Sequence, residues 1–486
     1  MTLSKKLSNS SIPWFGIGMT SIFLVSIALR FWGLGRFNTL VFDEVYYAKF
    51  ANNYLTGTNF FNAHPPLSQY IIAIGIWIGS HLPFGQDAVN GLTGSVRSTW
   101  SYRWLNALTG SFIPLVVAAL AYQLNRRKSY ALIAALFAAA DGLFLVESRY
   151  ALNNVYLVIF GLLGQLFFLV ALAQPRQQRW RDLALAGVFF GASACIKWNG
   201  LWFLLGAYTI WAAAWVMQWV YSTLRSQDSE VRHAKHFHTP LQNLTQLNVF
   251  HILWNFAIIP VLTYSLLWIP HLQMNPTPGF WQAQHDILAF HEKIGDGSEV
   301  HPYCSKWYSW ILMWRPIAYF YQTARNTTEQ VPAYPPLPAG AGKVIYDVHA
   351  MGNPFLWWLS TAAILLLLLL LTQRLIEGVA WKFLPSPHTW IALYFVLNWM
   401  ANLLPWGRVT RCIFLYHYMG ASVFSGLALA WLVDRWLHSK QPHYRSAGAT
   451  VIFLVLVAFV FWLPIYLGLP LSVQSYNLRM WFSSWI

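Results

Sequence analysis

Ile17-Gly18-Met19-Thr20-Ser21-Ile22-Phe23-Leu24-Val25-Ser26-Ile27-Ala28-Leu29 carries no charged side chain, lies downstream of Lys5 and Lys6, and is followed by Arg30-Phe31-Trp32. A cleaved leader would end on small residues. A basic and aromatic end instead places headgroup-level anchors at the close of a membrane span. The same pattern repeats along the chain. Candidate spans are roughly 14–32, 104–124, 130–146, 152–173, 183–196, 199–220, 250–270, 355–372, 388–405, 412–433 and 448–469, about eleven in all. A further apolar stretch, Leu67 to Leu82, is the doubtful case.

Composition agrees. Of 486 residues, 57% are hydrophobic and 10% charged, against about 25% charged in a soluble domain. So little charge cannot cover a water-facing surface of this length. The net charge of +15 sits mostly in short breaks between apolar runs, which speaks for topology and anionic lipid rather than for nucleic acid. The 28 Trp suit interfacial belts or a sugar-binding surface. Cys195, Cys304 and Cys412 are odd in number and widely spaced, and predict neither a disulfide framework nor a metal cluster. No soluble domain, short-period repeat or nucleotide fingerprint is present.

Basic residues set the topology, because Lys and Arg collect in short cytoplasmic loops. With 67–82 not crossing, that side receives Lys5/Lys6, Arg126/Arg127/Lys128, Arg176/Arg179/Arg181, Arg225/Arg232/Lys235, Arg374/Lys382 and Arg435/Lys440/Arg445. Letting 67–82 cross would put Arg126 and every later basic loop outside. The prediction is therefore an all-α integral membrane protein of about eleven helices with a cytoplasmic N-terminus. Its segments are 1–270 with a first outer loop at 33–103, a second large outer loop at 271–353, and a four-span region at 354–486. His233, His236 and His238 in the cytoplasmic loop suit metal, but a solvated basic loop is the plainer reading.

Candidate chemistry collects at the outer level. Phe42-Asp43-Glu44-Val45-Tyr46-Tyr47 puts two carboxylates among apolar and aromatic neighbours just past the first span. Burial and mutual repulsion raise a carboxylate pKa, which suits a general base; a pair of exposed loop acids is the other reading. His64-Pro65-Pro66-Leu67 is a fixed turn that could aim His64 back at the acids, or an incidental surface turn. Arg149 in Glu147-Ser148-Arg149-Tyr150, Lys197 in Lys197-Trp198-Asn199-Gly200, and Arg408 and Arg411 are cations at one outer level. Ionisable groups near a membrane usually pair or serve function, and these suit a lipid-phosphate headgroup; snorkelling to the interface is the alternative. His301-Pro302-Tyr303 through Arg315-Pro316 offers aromatics for a sugar or peptide platform, or for packing at an interface.

Phe42-Asp43-Glu44-Val45 through Lys49-Phe50-Ala51, with Tyr54-Leu55, Phe60-Phe61 and His64-Pro65-Pro66-Leu67, resembles the first luminal loop of protein O-mannosyltransferases. Ser148-Arg149-Tyr150, Lys197-Trp198 and the His301-Pro302-Tyr303 to Arg315-Pro316 block look like that family too, so the resemblance covers nearly the whole chain. It implies the glycosyltransferase C fold and transfer of mannose from a polyprenyl-phosphate carrier to Ser or Thr of a secreted or membrane protein, with inversion. It makes Asp43 the base and Glu44 its partner or acceptor contact. His64, Arg149, Asn154, Lys197, His301, Tyr303, Arg408 and Arg411 become substrate-binding positions. No cofactor and no tightly held metal are expected. Two positions depart from the pattern: Asn154, five residues after the turn arginine, and Asn62 stand where the family usually has Asp, lowering the local negative charge and suggesting an altered acceptor or sugar. The second outer loop is too short for the luminal domain of eukaryotic members, which implies a prokaryotic inner-membrane enzyme. A sister enzyme acting on lipid or glycan, as aminoarabinose transferases do, and a transporter remain as alternatives. The latter should show interrupted helices at mid-membrane depth, whereas the ionisable residues here cluster at one outer level.

Overall fold

The computed structural model describes residues 13–225, 239–324, 344–376 and 386–486. His233, His236 and His238 lie outside them. Helices occupy every predicted apolar stretch. Among the described residues seven are long and apolar enough to cross a membrane: α1 (Trp14–Phe31), α4 (Thr99–Asn125), α7 (Asn154–Ala173), α9 (Leu201–Arg225), α10 (Val249–Met274), α12 (Pro354–Ile376) and α15 (Pro442–Tyr466). An eighth is the pair α5 (Lys128–Ala139) and α6 (Gly142–Arg149), bent by 59°. The expected count of eleven is therefore not established. α8 (Arg179–Ala194) and α13 (Pro387–Leu403) have 16 and 17 residues, and α14 (Met419–Leu437) carries Asp434 and Arg435 near its end.

The bend has a local cause. Asp141 stands in extended backbone between α5 and α6, and its Oδ1 accepts from the amides of Leu143 and Phe144 at 2.8 and 3.2 Å. Its other oxygen accepts from Trp357 Nε1 at 2.6 Å. A side chain that caps a new helix ends the old one, so the predicted span 130–146 breaks there. Elsewhere small residues set the packing. A Cβ on Gly187 would fall 2.1 Å from the Asn255 carbonyl oxygen, and one on Gly191 would fall 2.6 Å from that of Pro260. One turn apart on α8, they let α10 approach backbone to backbone where it widens into a π turn at Trp254–Ile258.

Both large loops fold against the same end of the bundle. The first supplies α2 (Glu44–Thr56), α3 (Leu67–Ser80) and the hairpin β1 (Val89–Leu92)–β2 (Ser95–Ser98). With 14 residues α3 rises about 21 Å, short of the roughly 30 Å hydrocarbon core. The second loop supplies α11 (Phe280–Lys293), then β3 (Ile317–Ala324) and β4 (Val344–Ala350), joined by β5 (Leu471–Ser472) into an antiparallel sheet. The protein is mostly helical, as expected, and the described parts of the two loops add two small antiparallel sheets to the helices. Phe37 packs on Phe320 with centroids 4.3 Å apart, and Phe60 N donates to Asn275 Oδ1 at 3.0 Å, so the loops are mutually locked. Cys304 and Cys412 form a disulfide across 108 residues, which corrects the expectation of none.

Glu44 and Arg103, both fully buried, pin the first loop to α4. Arg103 donates from Nε to Glu44 Oε1 at 2.8 Å and from Nη2 to Oε2 at 2.7 Å. The remaining donors reach the carbonyls of Leu34, Phe37 and Thr39, and the amides of Val41 and Ala151 donate to the carboxylate. Removing one partner of such a pair leaves an uncompensated buried charge, at about 3–5 kcal/mol. Glu44→Gln should lower unfolding stability by that order in detergent micelles, measured by denaturant titration of intrinsic fluorescence. A change under 1 kcal/mol would mean that the pair does not hold the loop.

Candidate active site

Asp43 is presented by its backbone. Phe42, the residue before it, has φ 52°, a left-handed conformation that a bulky side chain rarely adopts. The ring that makes this tolerable stacks on Tyr319, with centroids 4.1 Å apart and planes 7° apart. Asp43 then stands at the N-terminal boundary of α2, where its carbonyl accepts from the amides of Tyr46 and Tyr47. Its carboxylate does not cap the helix, so it is left for other work. Burial raises its pKa to about 6, and the nearby positive charge of Lys197 opposes that rise.

Lys197 lies in extended backbone between α8 and a short 3-10 turn. Its Nζ donates to Asn154 Oδ1 at 3.0 Å and sits 5.2 Å from the centre of the Tyr416 ring. Burial pulls its pKa below the usual lysine range, with Asp43 and Glu147 opposing. Asn154, the first residue of α7, donates from Nδ2 to Glu147 Oε1 at 3.1 Å, and Tyr319 OH donates to the same oxygen.

Beside Lys197 opens a cavity of about 340 Å³, lined among others by His64, His291, Arg408, Arg411 and His417 and by the apolar Trp202, Ile287, Leu288 and Trp406. Burial lowers the pKa of His64, and that of His291 to about 4, so at neutral pH both rings are uncharged and the cations are Lys197, Arg408 and Arg411. His291 is fixed by a 2.9 Å contact of Nε2 with the Ala63 carbonyl. A lining of three cations together with tryptophan, isoleucine and leucine suits an anionic headgroup with a hydrocarbon tail. Among the described residues no three His, Cys, Asp or Glu side chains converge as a metal-ligand set.

The structure thus brings together Asp43, His64, Asn154, Lys197, Arg408 and Arg411. Other predicted positions go elsewhere. Glu44 faces inward to Arg103. Arg149 is spent on backbone: its guanidinium donates to the carbonyls of Leu29, Arg30, Trp32 and Gly33, where α1 ends. His301 accepts from the Tyr303 amide and packs on Phe414, and Tyr303 lies under Arg315, so neither lines the cavity. Sequence reasoning missed Glu147, His291 and His417, and took Tyr319 only as one of the aromatics of the second outer loop. Glu147 had a readable signal, as a carboxylate next to a predicted span; the others had none, because distant segments deliver them.

The many-helix bundle with its two large loops has the glycosyltransferase C fold of membrane glycosyltransferases. The family model described as dolichyl-phosphate-mannose-protein mannosyltransferase matches residues 20–266, and that of the C-terminal four-transmembrane region of protein-O-mannosyltransferase matches 276–485. The chain belongs to the protein O-mannosyltransferase family. Relatives include the polyprenol-phosphate-mannose–protein mannosyltransferases of Mycolicibacterium smegmatis (26% identical, covering 97% of this chain and 93% of that one) and Corynebacterium glutamicum (24%, 96% and 92%). The solved Saccharomyces cerevisiae Pmt1–Pmt2 complex bound to its sugar donor shares the fold, with TM-score 0.76 at 14% identity over 98% of this chain and 93% of the other.

A charge-assisted contact to phosphate contributes about 1.5–3 kcal/mol. Lys197→Met should therefore weaken binding of undecaprenyl phosphate roughly tenfold or more, as read by tryptophan quenching. Wild-type affinity should fall as pH rises toward the lowered lysine pKa, since the ammonium is lost there. Wild-type-like affinity in Lys197→Met would remove this residue from the headgroup site.

Proposed function

We propose that this chain transfers mannose from polyprenyl-phosphate-mannose to Ser or Thr hydroxyls of secreted or membrane proteins, on the extracytoplasmic face of a prokaryotic plasma membrane. The observation that carries the reading is Asp43: partly buried, not used as a cap, and within electrostatic reach of Lys197, which lines the cation-rich cavity. The named relatives use polyprenol-phosphate-mannose, and the cavity has the charge and apolar lining for such a lipid.

In the reaction the acceptor oxygen attacks the anomeric carbon from the face opposite the phosphate. The new C–O bond forms as the bond to phosphate breaks, and the configuration inverts. Positive charge would build on the acceptor oxygen unless its proton left, and Asp43 takes that proton as the bond forms. The lipid phosphate departs as an anion beside Lys197, Arg408 and Arg411. It is already a good leaving group, so one essential acid suffices where hydrolytic glycosidases use two. Asn62 and Asn154, in place of the family's usual aspartates, motivate a second reading in which the acceptor is a lipid or a glycan.

Membranes containing the protein should transfer radiolabel from polyprenyl-phosphate-mannose into a protein fraction; label confined to lipid extract would select the second reading, and no label would end both. Asp43→Asn should cut turnover about 100-fold or more with the fold retained. The base works as a carboxylate, so wild-type kcat/KM should rise as pH rises through about 6 and level off above it, a limb that Asp43→Asn lacks. A folded Asp43→Asn with near-wild-type turnover would exclude it as the base.

Orientation is tested separately. The basic-loop distribution places Arg126 inside and Ile486 outside. An impermeant thiol reagent applied to intact cells should miss a cysteine introduced near Arg126 and label one near Ile486; the reverse pattern would invert the topology.

A further inference from the structure

Glu147 reaches neither the cavity nor a cation directly, yet it is a fully buried carboxylate. Oε1 accepts from Asn154 Nδ2 and from Tyr319 OH, and Oε2 has no hydrogen-bond partner. A charge held this way is costly unless a counter-charge stands near, and the nearest cation is Lys197, one amide away. We infer that Glu147 is a positioning residue for the donor phosphate: it orients Asn154 so that the amide oxygen meets Lys197, and supplies the negative charge that partners that ammonium.

The argument is one of donor and acceptor order. An ammonium only donates and an ionised carboxylate only accepts. Between them an asparagine amide satisfies both in one orientation, with NH2 toward Glu147 and oxygen toward Lys197. The opposite orientation would set NH2 against the ammonium and oxygen against the carboxylate. Glu147 therefore decides which face of Asn154 Lys197 sees. It also returns the charge that Asn154 lacks, so the local negative charge is displaced by one hydrogen bond and not lost.

Glu147 is itself held from the second large loop. β3 and β4 pair Ala318 with His349 and then Phe320 with Val348, so Tyr319 is the extra residue of a β-bulge. Bulges re-aim a side chain, and here the tyrosine reaches Glu147 with its hydroxyl while its ring stacks on Phe42, the neighbour of Asp43. One side chain thus sets both the base and the carboxylate behind the lysine.

This inference rests on the proposed function for its donor, and the test separates the two. The full-length protein is assayed for binding of undecaprenyl phosphate, which carries no sugar, and for donor KM and kcat. In Glu147→Gln the carbonyl can still accept from Asn154 and Tyr319, but the negative charge that partners Lys197 is lost. Lipid-phosphate affinity should drop about tenfold, and donor KM should rise more than kcat falls. The double variant Glu147→Gln/Asn154→Asp puts a carboxylate directly on Lys197 and should bind within about threefold of wild type. A purely structural role for Glu147 would give no such rescue. Glu147→Gln binding like wild type overturns the inference, and so does a double variant that fails to fold or binds no better than Glu147→Gln. A wild type that binds undecaprenyl phosphate but transfers no mannose sinks the proposed function alone; one that does not bind it sinks both.

Discussion

Glu44 sits where the first large loop, α4 and the turn after α6 meet, and its carboxylate accepts from Arg103 and from the amides of Val41 and Ala151. The first loop and the turn after α6 are both referred to that point. The loop carbonyls of Leu34, Phe37 and Thr39 converge on the same guanidinium, so the approach to Asp43 is fixed from behind. Adjacent positions at the start of a helix differ by about 100°. When Glu44 turns inward to Arg103, Asp43 must turn away. Two acids that look equivalent in sequence are thereby given opposite work: one is saturated with donors, and the other is kept short of them, with a raised pKa.

The cations divide in the same way, and their chemistry explains how. The last carbonyls of a helix lack intrahelical partners, and at the end of α1 little water can reach them. An arginine offers a planar fork that serves several acceptors at once. Arg149 does this for Leu29, Arg30, Trp32 and Gly33, and Arg103 does it for the following loop. A lysine is a point charge on a flexible stem and closes no such set. Lys197 accordingly stays at the cavity wall with a single protein acceptor, Asn154. Reading every cation at one level as a phosphate ligand overlooked the backbone, which is the competing acceptor.

The membrane-embedded part was legible because apolar runs announce themselves: the predicted stretches are helical, and α3 has 14 residues. What stayed hidden was set by contacts far apart in sequence. Cys304 and Cys412 are 108 residues apart, and nothing near either names the other. The β3–β4–β5 sheet needs a strand from the C-terminal end of the chain. The bend at Asp141 was readable in principle, since an aspartate before glycine within an apolar run is a cap signal, but an unbroken hydropathy pattern masks it. At the candidate site, Asp43 and Lys197 could be singled out in the sequence because their neighbours form a motif. Glu147 was passed over because Arg149, two residues on, drew the functional reading.

The second large loop was read as an aromatic platform, and its role in the structure is closer to that of a clamp. Tyr319 fastens it to Phe42 and Glu147, and the Cys304–Cys412 disulfide fastens it to the segment carrying Arg408 and Arg411. Ser305 adds a hydrogen bond from its amide to the Ile413 carbonyl at 2.9 Å. Asp43, Glu147 and the two arginines come from three different parts of the chain, and this one loop is fastened at or beside each of them. Under the proposed in-line displacement, Asp43 and the cations of the cavity must keep their separation while substrate enters and product leaves. A loop joined to both sides by a covalent bond, a stacked ring and a hydroxyl holds that separation. The individual helix contacts do not have to.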